Sequence, residues 1–213
     1  GAAVLRADRG TRYALLAMVA WTGLTALAIA AEMGRAQAAV RDAAEVQARQ
    51  AFEILRVARR WNAGHGGVFV PVTPTLRPNP WLSHVPDREA RTAAGRELTL
   101  MNPAWMTRQV LELVNQELDV TGHITSLRPI RPENAPDAWE RRALERLEAG
   151  AQDYSELVGL PMEERLRFMG KLVVAEGCLG CHRAQGYRLG DVRGGISVSV
   201  PLAPLLAVGA RDT

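Results

Sequence analysis

Cys178 and Cys181 stand three positions apart, and His182 directly follows the second. Two thiols at this spacing suit addition to the vinyl groups of a porphyrin while the imidazole reaches the iron, so the stretch reads as the attachment site of one covalently bound c-type haem. Three other chemistries also use close thiols. A zinc knuckle needs a second ligand pair, but these are the only two cysteines, and scattered histidines would have to complete the shell. A thioredoxin-like pair sits at a helix start within a βαβ pattern, whereas this one follows a strand-like run over 171–175 and Gly177. A disulfide across so short a loop would stabilise little. With the histidine in register, haem is the expected reading. No paired acid and base and no nucleophile constellation accompanies the motif, so an enzyme is not expected.

The elements that must position this motif begin at a membrane. Residues 13–31 carry no charge, close to the length a helix needs to cross a bilayer, and Arg6, Arg9 and Arg12 precede them. Positive flanks stay in the cytoplasm, which places everything after Glu32 outside the inner membrane, on the side where haem is attached to such motifs. Ala36-Gln37-Ala38 resembles a signal cleavage site, but the apolar run is longer than a usual signal core, so a single-pass anchor is expected. The net charge of +3 comes through arginine, since Lys171 is the only lysine. No basic run is interleaved with aromatics, and no nucleic-acid partner is expected.

Residues 35–63 contain neither glycine nor proline, so the membrane helix is expected to continue straight outward. Val40, Ala44, Gln47, Ala51, Ile54, Ala58 and Trp61 recur at spacings of four and three, while Glu45, Arg49 and Glu53 form a charged ladder on another face. The first stripe serves either packing on the chain's own domain or the seam of a parallel homodimer. Further on, short strands are expected over 68–70, 97–101, 123–130, 171–175 and 196–200. Asn102 caps a helix opened by Pro103 and running to about Leu118, Asp137 and Glu140 form a capping box for a helix closed by Gly150, and 161–169 reads as a shorter helix. Prolines 71, 74, 78, 80 and 86 mark a surface loop. This order implies an α+β fold around an antiparallel sheet with flanking helices. The expected organisation is a cytoplasmic N-terminus over 1–12, a transmembrane helix over 13–33, a long periplasmic helix over 34–63, a haem domain over 64–205, and the start of a C-terminal helix over 206–213.

Several segments together resemble the membrane-anchored, periplasmic c-type haem domains with a PAS-like fold, often found ahead of histidine kinase modules. They are His65-Gly66-Gly67-Val68-Phe69-Val70, Asn102-Pro103-Ala104-Trp105-Met106-Thr107-Arg108, 126–134 followed by Trp139-Glu140, and 178–195. The resemblance implies a PAS-like sheet with one covalent haem, in which Cys178 and Cys181 hold the porphyrin and His182 is the proximal ligand. Members of the family can place a cysteine on the opposite side of the iron, and this chain has no third cysteine to do so. His65 is the first choice for the sixth position because glycines flank it and it lies in a resembling segment. His84, His123, Met101, Met106 and Met169 are the alternatives. Arg128, Arg183 and Arg193, with Tyr187, are candidates for the haem propionates, since guanidinium matches carboxylate as a paired donor.

Two functions follow from these expectations. One is a haem-based sensory domain that converts a redox change or a small ligand at the iron into movement of the long helix, with a kinase module downstream. The other is a membrane-tethered electron-transfer cytochrome c, an accessory subunit of a larger membrane complex. The proline-free link between anchor and haem domain favours the sensor.

Overall fold

The chain is described over residues 8–160 and 163–209 in a computed structural model. The side chains of Cys181 and Val208 are outside that description, as are the chain ends expected to be the cytoplasmic segment (in part, with Arg6) and the close of a C-terminal helix.

One helix, α1 (Arg9–Gly64), runs from the uncharged segment into the folded domain. It starts at Asp8, whose side chain accepts the backbone N–H of Thr11 at 2.7 Å, and it ends where Gly66 and Gly67 take positive φ. Its N-terminal part is long and apolar enough to cross a membrane, and none of that window is buried. Thr22 and Thr25 return their hydroxyls to the carbonyls of Met18 and Trp21, which satisfies both without water.

Beyond α1 the mixed α+β fold holds two antiparallel sheets rather than one. β1 (Val68–Pro71), β2 (Glu89–Arg91) and β3 (Glu97–Met101) form a small sheet in the order β1-β3-β2. β4 (Thr121–Thr125), β5 (Asp153–Val158), β6 (Arg165–Val173) and β7 (Val192–Pro201) form the larger one in the order β4-β7-β6-β5. Helices α2 (Pro103–Glu117), α3 (Ala138–Glu148), α4 (Leu179–His182) and α5 (Ala203–Gly209) complete the domain.

Alternation along β6 and β7 divides the core between the two faces of the larger sheet. Leu166, Phe168, Ile196, Val198 and Val200 pack with Ala44, Ala48 and Phe52 of α1. Met169, on the other face, packs with Trp139, Ala143, Leu144 and Leu147 of α3. Gly170 lies under the Phe52 ring, and a Cβ there would collide with it. The stripe expected on α1 is therefore split. Val40, Ala44 and Ala51 turn toward the domain, while Ile54 and Trp61 are exposed, and the packing face is completed by Ala48, Phe52 and Leu55.

The helix expected over 161–169 is not formed where the chain is described. Pro161 and Met162 lie outside the described residues, and 165–169 belong to β6, paired with β5 and β7. Non-local pairing on both edges outweighs the local helix preference of this run. The hairpin partner β5 and the short β2 were not expected from local pattern. The strand expected over 123–130 is shorter, ending at Thr125.

Candidate functional site

At one end of the larger sheet, where α1 ends and α2 begins, protein surrounds an open cavity of about 100 Å³. The walls include Arg59 of α1, Asn102, Trp105 and Arg108 around the start of α2, Ile124 and Ser126 at the end of β4, His84 of the proline-rich loop, Leu172 of β6, Arg193 of β7, and His182. Local signals set several of these. Asn102 accepts the N–H of Trp105 at 2.9 Å, which starts α2 at Pro103 and directs Trp105 to the cavity wall. Gly194 lets β7 approach β4, since a Cβ there would collide with the Thr125 carbonyl.

The thiol motif lies on a tight double turn. A 3₁₀ turn over Glu176–Cys178 leads into α4, and a second over Arg183–Gln185 ends at Gly186 in the left-handed region, with φ of 85°. Cys178 is a free, partly buried thiol whose Sγ accepts the Ala175 N–H at 3.4 Å. Cys181 lies on α4 three positions on, and its side chain is outside the described residues.

His182 reaches the cavity from this turn. Its Nδ1 lies 2.8 Å from Oε1 of Gln185, whose own Nε2 donates to the Arg128 carbonyl. That second bond turns the amide oxygen toward the imidazole, so in the tautomer with its proton on Nδ1 the ring donates to Gln185 and Nε2 keeps its lone pair. Arg193 Nε donates to the same Nδ1 at 3.1 Å, a bond made in the other tautomer, with the proton on Nε2. Burial first, and Arg193 second, hold the His182 pKa below its ordinary value. A neutral imidazole with a bare Nε2 is the form that ligates a metal.

Four arginines line the cavity, and while Arg108 pairs with Glu112 and Arg131 with Glu133, the other two have no carboxylate partner. Among the described residues neither Arg59 nor Arg193 forms an ion pair. Arg59 instead donates to the Pro103 carbonyl and to Thr107 Oγ1, both at 3.0 Å, and Arg193 to Ser126 Oγ at 2.6 Å. Tyr187, 3% exposed, is flanked by Arg128 and Arg193, whose guanidinium carbons lie 4.2 and 4.9 Å from its ring centre.

Cys178, His182, Tyr187, Arg128 and Arg193 are thus drawn together around one turn and one cavity edge. Arg183 lies on the same turn, exposed. His65 is placed elsewhere: it is exposed, its Nδ1–H donates to the Trp61 carbonyl at 2.7 Å, its ring stacks on Trp61, and it is not among the residues lining the cavity. His84 lines the cavity with His182. His123 is committed to Glu140 and to the Glu133 carbonyl, while Met101 and Met169 are buried in the protein interior. Sequence reading did not single out Arg59 or Gln185. Arg59 had one local signal, a charge falling on the buried stripe of α1 between Leu55 and Asn62.

A search of the curated proteins finds no match. Among solved structures, the chain is similar to the crystal structure of the cyanobacterial haem protein Tll0287, at 18% identity and a TM-score of 0.47, over 73% of this chain and 92% of that one. The family model described as Tll0287-like matches residues 32–201, which is most of the chain beyond the apolar segment, and the chain belongs to the Tll0287-like family.

Proposed function

We propose that this chain is a membrane-anchored, periplasmic monohaem c-type cytochrome that works as a redox or small-ligand sensory domain. The observation that carries the haem is the double turn, which holds the Cys178 thiol and presents His182 at a cavity whose wall carries two arginines, Arg59 and Arg193, without carboxylate partners among the described residues. The donor set fits the group: two thiols for the vinyl carbons, an imidazole Nε2 for iron, guanidiniums for propionates, and Trp105 and Leu172 among the walls. Bound there, haem would supply an iron able to change oxidation state or take a diatomic ligand. The residues of the chain would hold it: Cys178 and Cys181 by thioether bonds, His182 at the proximal position, and Arg193 or Arg128 beside Tyr187 at the propionates.

The sensory role is supported by continuity. α1 is unbroken from the apolar segment to Gly64, and Arg59 near its end lines the cavity. A change at the cavity therefore acts on the same rigid element that enters the membrane.

The test is a membrane pellet washed with high salt and carbonate, run on a denaturing gel and stained for haem peroxidase. The stain should stay on the polypeptide and vanish in the Cys178→Ala, Cys181→Ala double variant. A soluble or unstained product would overturn the reading. Cross-linking at the exposed positions Val46 and Ile54 of α1, introduced as cysteines, should change on reduction. If it ignores the state of the iron, the electron-carrier reading takes the place of the sensor.

A further inference from the structure

We propose that Arg59 is the carboxylate-binding residue through which occupancy of the cavity acts on α1. The inference rests on the haem reading and names a contact that the motif does not imply. Arg59 projects from the buried face of α1, lines the cavity, and spends its Nη1 on two neutral oxygens, the Pro103 carbonyl and Thr107 Oγ1. No other hydrogen bond of its guanidinium is present, and no carboxylate pairs with it among the described residues. Crowding by protein pushes its pKa down to about 10, with Arg193 repelling it further.

A guanidinium kept charged in such surroundings is costly unless an anion meets it, and removing the cost is the reason to bind one. Arg193, another guanidinium on the cavity wall, likewise lacks a carboxylate among the described residues. Two unmatched cations facing one cavity call for a ligand with two carboxylates, which is the charge pattern of a haem's propionates. Arg59 also has a place that Arg193 lacks. It stands on α1, three residues before the fully buried Asn62, and its Nη1 ties α1 to the first turns of α2. A carboxylate drawing on its free nitrogens would pull on the junction of these two helices.

The test compares Arg59→Met in two backgrounds of the full chain, the haem-loaded protein and the haem-free Cys178→Ala, Cys181→Ala protein. With haem, the melting temperature should fall. Without haem, it should rise by about 3 °C or more, because an uncompensated charge has been removed. A residue that merely joined α1 to α2 would lower stability in both backgrounds, and that result overturns the proposal. If the haem-free protein does not fold, the midpoint potential of the loaded protein decides. Loss of a cation beside a propionate should lower the potential, and Arg59→Lys should restore most of it. An Arg59→Met protein that still carries haem-peroxidase stain at an unchanged potential refutes the role of Arg59 while leaving the haem reading intact. Absence of stain from the unmutated protein refutes the haem reading itself.

Discussion

Nδ1 of His182 lies 2.8 Å from Oε1 of Gln185, and that amide is held in turn by the carbonyl of Arg128. Partners of this kind set the tautomer and basicity of a metal-bound imidazole. Gln185→Glu, which places a carboxylate beside the same nitrogen, should lower the reduction potential of the bound haem, and Gln185→Leu should raise it. Both variants should keep the covalent stain. Equal potentials in a redox titration of all three proteins would mean that another group orients His182.

The sixth iron position is expected to be filled by His84 rather than His65, because His84 lines the cavity that His182 enters and His65 is bonded to the Trp61 carbonyl outside it. The oxidised spectrum should be low-spin. His84→Ala should make it high-spin or water-ligated without releasing the cofactor, and His65→Ala should leave it unchanged. The reverse pattern would return His65 to the iron.

Gly170 is required by the ring of Phe52, which occupies the space its Cβ would take. Gly170→Ala must push α1 off the larger sheet or distort β6, at a cost of about 1–3 kcal/mol. Urea unfolding should show a lower midpoint with an unchanged slope. Because Phe52 also tilts against Phe168 at 5.8 Å between ring centres, a Gly170→Ala protein of native stability would mean that this contact is easily rearranged.

A buried network behind the sheet should make stability depend on pH. His123 donates from Nδ1 to Glu140 and from Nε2 to the Glu133 carbonyl, so it is charged, and the bond to Glu140 raises its pKa above the usual 6.5. Burial works against ionised Glu140, but hydrogen bonds from His123 and Ser197 hold its pKa below the ordinary value, and Arg167 and Asp137 complete the charged surroundings. For His123 the folded pKa exceeds the unfolded one, so its contribution is complete below about pH 6.5 and is lost as pH climbs through the raised value. For Glu140 the contribution is present above the ordinary carboxylate range and lost as pH falls through the lowered value. Unfolding free energy should therefore decline on the alkaline side of pH 6.5, and His123→Gln should flatten that limb. An unaltered limb would place the titrating group elsewhere.

Features encoded within a few residues were readable from the sequence. The Asn102-Pro103 start, the reciprocal cap of Asp137 and Glu140 and the turn at Gly64 to Gly67 each depend on bonds made inside one turn, so their local residue types determine them. The long helix was readable for a related reason: an uncharged run followed by a stretch without glycine or proline leaves the backbone no better way to satisfy itself. Tertiary structure decided what depends on partners far along the chain. Residues 165–169 read locally as helix and become β6 because β5 and β7 bond both of its edges. The same non-local packing turns Ala44 inward and Ile54 outward on one stripe, brings His84 rather than His65 to the wall shared with His182, and places Arg59, 119 positions before Cys178, at the cavity beside the motif. Those choices rest on which surfaces the sheet buries, and no window of neighbouring residues contains that information.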